Sequence, residues 1–332
     1  MEEFISEDIS DKSFANNYHL RKITIEGKVK IGDYAFMNCI ALESIEFGET
    51  VEIGKFAFYG CTSLKHITIP NSVNEIGEGC FYLCISLKSI RLSDSITSIP
   101  QHCFGRCVEL NNIQLPINLI KICDYAFINC RELENIILGD KITTIGENAF
   151  EITGLTSITF PPLLKVIEDS VCLNCPNLQE VNYGPNVEII KQYAFWNCNE
   201  LKNINGANGG RTLVETNEPL RDLPTFGGNP TGFRQVGNGR TLVEYINDNS
   251  STMNTNLRTI ESYAFGCCHS LTKFDFPKSL TTICKNTFVD SKVKLVNFDN
   301  VVSVSISKFT DKQIEDGLED NNCASMVKSD NE

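Results

Sequence analysis

The chain is poor in the residues that most enzyme chemistry needs. Its 332 residues include four histidines (His19, His66, His102 and His269) and one tryptophan. No histidine sits at a familiar spacing from a nucleophile. There is no G-x-S-x-G, no phosphate-binding glycine loop and no H-E-x-x-H. An enzyme is therefore not expected, nor is a metal or other cofactor. Positive charge is also scarce: 29 Lys and Arg against 42 Asp and Glu leave a net charge of −13. Phosphate backbones are held by basic faces, so nucleic acid is not an expected partner, and an anionic membrane surface is disfavoured likewise. No run of 18 apolar residues occurs, so no transmembrane segment is expected. The opening Met1-Glu2-Glu3-Phe4-Ile5-Ser6-Glu7-Asp8 is acidic and does not read as a secretory signal. The expected location is the cytoplasm, with the cell surface, reached by an unconventional route, as the alternative.

What the chain has in plenty is leucine, isoleucine, phenylalanine and cysteine at fixed intervals. Leu20, Leu42, Leu64, Leu87, Leu110, Leu133, Leu155, Leu178 and Leu201 follow one another at 22 or 23 residues, and Leu271 and Val293 extend the series. Each opens an L-x-x-I-x-L segment, whose alternation marks a short strand, and a Pro or Gly such as Pro70, Pro116 or Gly139 often stops it. The second half of each unit carries a phenylalanine column: Phe36, Phe58, Phe81, Phe104, Phe127, Phe150, Phe195, Phe265 and Phe288, with Cys172 taking its place once. A small residue precedes each ring, which fits a tight turn or a single helical turn. Self-similarity at this period means a solenoid. One unit cannot bury its own apolar face, so stacked units share an interior and their strands pair in parallel.

The register breaks once. Leu201 to Leu271 spans 70 residues, one coil of 23 plus an insertion of 47 at about 206–253. Within it Gly210-Arg211-Thr212-Leu213-Val214-Glu215 returns as Gly239-Arg240-Thr241-Leu242-Val243-Glu244. The two hexamers read either as a projecting hairpin or as part of a loop. Arg211, Arg221, Arg234 and Arg240 are the insertion's candidate contact residues. Residues 1–19 read as a capping half-repeat, 20–309 as the solenoid, and 310–332 as an acidic tail.

The unit L-x-x-I-x-[LIF]-P…I-G-x-x-A-F-x-x-C, best seen in Ile113-Gln114-Leu115-Pro116 with Tyr125-Ala126-Phe127-Ile128-Asn129-Cys130, resembles the BspA-like leucine-rich repeats. The resemblance covers nearly the whole chain apart from cap, insertion and tail. It implies an α/β, right-handed leucine-rich-repeat solenoid of about ten to eleven coils of 22–23 residues. A curved parallel sheet would line the concave face, with short helical turns or loops on the other. It also implies a role in protein–protein interaction, in that family often adhesion at the cell surface; an intracellular scaffold or regulatory binding protein is the alternative.

Two sets of residues invite a chemical role. Eight cysteines (Cys39, Cys61, Cys84, Cys107, Cys130, Cys175, Cys198 and Cys268) stand three residues before an opening leucine. Such locking in position fits a small apolar filler better than a metal or redox array. Cys267 and Cys323 are the thiols expected to be exposed and oxidisable. The second set flanks the central isoleucine of each strand and points away from the core. In the middle of the array it reads His66, Thr68, Ser89, Arg91, Asn112, Gln114, Asn135, Ile137, Ser157, Thr159, Glu180 and Asn182. Exposed solenoid sheets serve as extended binding surfaces, so a protein partner is expected there, on the insertion, or on both. The oligomeric state is open.

Overall fold

The computed structural model describes residues 2–50, 52–206, 256–274, 276–284 and 286–293. It also describes the backbone of strands Thr212–Thr216, Pro230–Val236, Arg240–Tyr245 and Ser303–Val304. The acidic tail and Cys323 lie outside these residues. The chain winds as a parallel β-solenoid. The opening leucines from Leu20 to Leu271 are all at 0% exposure, and the phenylalanine column from Phe36 to Phe288 is at 1% or less. Successive rings stack nearly face to face: Phe36–Phe58 at 5.2 Å, Phe104–Phe127 at 5.3 Å and Phe127–Phe150 at 5.5 Å. Where Cys172 interrupts the column, the strand-end ring of Phe160 turns in and meets Phe195 edge-on at 6.2 Å.

Each coil has three sides, and every side carries its own ladder. The first side is the expected strand. His66–Thr68 pairs in parallel with Ser89–Arg91, which pairs with Asn112–Gln114. Likewise Ser157–Thr159 pairs with Glu180–Tyr183, which pairs with Asn203–Gly206. The second side is a further parallel ladder centred on the isoleucine before the glycine column. It joins Ile99, Ile122 and Ile145, and then Ile167, Ile190, Ile260 and Ile283. Coils approach closely here: a Cβ on Gly77 would lie 2.4 Å from the carbonyl carbon of Gly54, so only glycine fits.

The third side corrects the expectation of helical turns: the described residues contain no helix, and the α/β class gives way to an all-β solenoid. The reason lies in the backbone. Residues two before and two after the column phenylalanine take positive φ, as at Tyr34 (57°) and Asn38 (57°), and at Tyr125 (57°) and Asn129 (62°). A left-handed residue every four positions forbids a helix. The phenylalanine amides point along the stack instead. Phe104 N–H donates to the Ala126 carbonyl at 2.8 Å, and Phe127 N–H to that of Ala149 at 2.8 Å.

The N-terminal segment is more than half a coil. Glu2–Ile5 pairs with Lys22–Ile25, Ile9 bridges to Ile31, and Phe14 stacks on Phe36 at 5.2 Å. The insertion leaves the stack undisturbed. Ile190 pairs with Ile260 across it, and Phe195 stacks on Phe265 at 5.3 Å. The insertion's described strands form their own antiparallel sheet, with Arg240–Tyr245 between Thr212–Thr216 and Pro230–Val236. The two similar hexamers do pair, as part of three strands rather than as a lone hairpin.

Candidate interaction face

The strand side places its outward residues in rows one coil apart. His66, Ser89 and Asn112 stand in one row and Thr68, Arg91 and Gln114 in the next. Further along, Ser157 aligns with Glu180, and Thr159 with Asn182. Of the twelve residues expected on this face, His66, Thr68, Asn112, Asn135 and Ser157 are exposed. Ser89, Arg91, Gln114, Ile137, Thr159, Glu180 and Asn182 are half-buried, and none is buried. Of the flanking coils, Lys273 is exposed, while Asp275 lies outside the described residues.

The two ends of this face satisfy themselves. At the N-terminal end Lys22 pairs with Glu46 at 2.8 Å; hydrogen bonding to Glu46 holds the ammonium above its usual range and the Glu46 carboxyl below its own. At the other end Asn182 donates to Thr159 Oγ1 at 3.3 Å. Asn205 there donates to Asn182 Oδ1 at 2.9 Å and to Glu180 Oε1 at 3.1 Å. His66 Nδ1 meets Ser89 Oγ at 2.8 Å. Between these, Arg91, Asn112, Gln114 and Asn135 make no side-chain hydrogen bond or ion pair with the described residues.

The backbone opens at the same place. Residues 134–138 form no strand, so the ladder stops at Asn112–Gln114 and resumes at Ser157–Thr159. The expectation of one unbroken sheet is corrected accordingly. Ile113 and Ile136, whose counterparts Ile90 and Ile158 are 3% and 1% exposed, are only partly buried here, as is Leu115. These three residues gave no sign of this in the sequence, where they occupy ordinary core columns. The middle of the face thus joins unspent donors and acceptors to partly uncovered aliphatic carbon, a mixture typical of protein-binding surfaces.

The cysteines have a structural use. Each of the eight donates its thiol hydrogen to a carbonyl of the preceding coil, as Cys61 to Phe36 at 3.2 Å and Cys130 to Phe104 at 3.1 Å. Burial pushes seven of these thiols up, to about 11 for Cys39 and about 12 for Cys84. Burial alone would raise Cys175 too, but hydrogen bonds from Cys172, Cys198 and Thr153 hold it below its ordinary range. Cys267 is half-buried, and burial with the Asp290 carboxylate raises its thiol too, away from the range of a reactive thiolate. Among the described residues, only Glu147, Glu168 and Asp169 converge as a metal-ligand set would. The Lys191 ammonium lies 2.6 Å from Glu168 and 3.6 Å from Asp169 and supplies the countercharge. The insertion's Arg211, Arg221, Arg234 and Arg240 have side chains outside the described residues. No helix of the described residues is long and apolar enough to cross a membrane.

Comparison with known proteins places this geometry. The family described as "BspA type Leucine rich repeat region" matches in six copies, over residues 7–105, 74–202 and 241–323. A leucine-rich repeat protein from Bacteroides ovatus shares 25% identity, over 85% of this chain and 79% of that one, with a TM-score of 0.51. A leucine rich cell surface protein from Faecalibacterium prausnitzii shares 20% identity, over 95% and 86%, with a TM-score of 0.49. No curated protein matches the chain.

Proposed function

From the premise that this chain belongs to the BspA-type leucine-rich repeat family, we propose that it is a non-enzymatic protein-interaction module whose partner docks on the middle of the strand face. The supporting observation is the coincidence at one place of free polar side chains (Arg91, Asn112, Gln114 and Asn135) with partly uncovered Ile113, Ile136 and Ile137. Both ends of the same face have spent their polar groups on each other. A partner gains most where hydrogen-bonding groups are unspent and apolar carbon is still to be covered. The ladders on either side hold that surface rigid, which lowers the entropy cost of binding.

Adhesion at a cell surface is the form of interaction we put first, on the family's account. An intracellular scaffold is the second reading, favoured by described cysteines that are all free thiols. A photo-reactive amino acid placed at Asn112 or Asn135 tests the docking surface. Protein adducts should form from these positions and not from Lys121 or Thr144 on the second ladder. Equal yields from both sides would refute the assignment. Protease treatment of intact cells separates the two locations: loss of the full-length chain supports surface display, and its survival supports the scaffold.

A further inference from the structure

Three cations stand together on a stretch of the strand face that carries no acid. Lys88 N–H donates to the Lys65 carbonyl at 2.8 Å, and Asn111 N–H to that of Lys88 at 3.1 Å. These residues form a third row beside the rows of His66 and Thr68. Over these coils the three rows hold Lys65, Lys88 and Arg91, and no Asp or Glu. In a chain of net charge −13 the sign is locally reversed. Acids return in the same rows only one coil before, at Glu43 and Glu46, and one coil after, at Glu134.

The nearest acids are spent elsewhere. Glu43 turns back to Arg21 at 3.2 Å and Glu46 to Lys22 at 2.8 Å, both in the preceding coil. Lys88 meets Glu109 at 3.7 Å, a long and exposed pair. Lys65 and Arg91 make no ion pair or side-chain hydrogen bond with the described residues. Lys65 and Lys88 are exposed and Arg91 is half-buried. Like charges in one row, about 4.8 Å apart at the coil spacing, work against folding stability. The trio is therefore not explained by the fold, and it lacks the countercharge that a ligand would bring.

We infer that Lys65, Lys88 and Arg91 bind an acidic segment of the protein partner, whose carboxylates supply that countercharge. The inference rests on the strand-face reading and names the chemistry of the partner there. Arg91 offers a planar fork that a carboxylate can take with two hydrogen bonds. The two lysines serve the acids that follow. Asn112 and Gln114, unspent one coil on, match the segment's backbone amides and carbonyls. Nucleic acid fits worse: three cations release few counterions, and the remaining acids repel a long phosphate chain. A short acidic segment needs only a local match, because screening confines those acids' field to about 10 Å.

Anisotropy titration of the full chain with a labelled Glu-Thr-Glu-Val-Glu-Thr-Glu peptide tests it, beside the same peptide with Gln for every Glu. The Glu peptide should bind about tenfold more tightly at low salt, and the gap should close as salt rises. Lys65→Gln and Arg91→Gln should each weaken it about threefold with an unchanged melting temperature, and Lys121→Gln on the second ladder should not. Equal binding of the two peptides would overturn the proposal, as would an equal loss in Lys121→Gln. Tighter capture of a short single-stranded DNA or of phosphatidylserine vesicles would also overturn it. Residues 310–332 of the chain are themselves acidic. Asp316→Asn with Glu319→Gln in the full chain should leave peptide binding unchanged. A gain would make that tail the occupant and overturn the partner assignment. Photo-cross-linking at Asn112 needs no charge, so adducts there without a Glu preference would sink this inference alone. Absence of adducts would sink the docking reading itself, whatever the peptides do.

Discussion

The thiol of Cys130 donates its hydrogen to the carbonyl oxygen of Phe104, one coil back, at 3.1 Å. The same bond recurs down the stack, and it explains why this column holds cysteine. The site needs a side chain small enough for full burial that still offers a second donor to a carbonyl already bonded by its own turn's amide, as Phe104 is by Cys107 at 3.1 Å. Cys130→Ala should destabilise the fold by about 1–2 kcal/mol, from a lost hydrogen bond and a small cavity. Urea denaturation checks this, and an unchanged midpoint would contradict it.

Those thiols also set a pH limit. Burial raises Cys39 to about 11 and Cys84 to about 12 from an ordinary 9.0. In the unfolded chain they ionise at their ordinary value while the folded chain keeps its protons, so the unfolded state binds fewer protons above that value. Stability from this source is therefore complete below pH 9 and falls as pH rises toward 11 and 12. Denaturation midpoints measured on either side of pH 9 should show the fall, and a Cys39→Ala variant should show less of it.

Phe127 lies between Phe104 and Phe150 in the ring column. Phe127→Ala should cost about 3–5 kcal/mol, because neighbours held on both sides cannot collapse into the hole. Loss of less than 1 kcal/mol in chemical denaturation would mean that the column is not a continuous core.

Gly79 combines two demands. Its φ is +57°, and a Cβ there would lie 2.1 Å from the ring of Phe56 in the preceding coil. Gly79→Ala should destabilise by about 1–3 kcal/mol. Phe56→Leu in the same chain should return part of the loss, leaving only the backbone strain. Equal losses in the single and double variants would show that the ring plays no part.

Cys172 stands where other coils carry phenylalanine, and the buried Phe160 of the same coil reaches the ring of Phe195 in the next. Cys172→Phe should therefore lower stability by overpacking, by about 1–3 kcal/mol. Shrinking Phe160 to the leucine found at Leu92, Leu115 and Leu138 should recover most of it. Additive losses in the double variant would contradict the exchange.

Leucine, phenylalanine and cysteine columns were legible because apolar periodicity reports burial directly: Leu110, Phe127 and Cys130 are all fully buried. The insertion's length was legible from the break in phase between Leu201 and Leu271. The third side was not. Tyr125-Ala126-Phe127-Ile128-Asn129 has a helix-compatible composition, and what excludes a helix is the positive φ of Tyr125 and Asn129, where only Asn129 offers a hint. The second ladder was missed because two-residue strands such as Lys121–Ile122 are too short for alternation to show. At the face itself, outward orientation followed from the strand period. The gap at residues 134–138 was not legible, because Leu133, Ile136 and Leu138 keep the apolar spacing of the coils that do form a strand.

Each coil is tied to the next along its turn side as well as along its paired strands, the strand-side gap at residues 134–138 aside, so that the strand face is presented on a rigid ribbon. Hydrogen exchange at the phenylalanine-column amides tests it most directly, because these lie on the side where the sequence suggests a mere turn. The amides of Phe104, Phe127 and Phe195 donate to the next coil at 2.8, 2.8 and 2.9 Å, and they should exchange only on global unfolding. Exchange of these amides as fast as in exposed loops, while the paired strands stay protected, would contradict the three-sided stack.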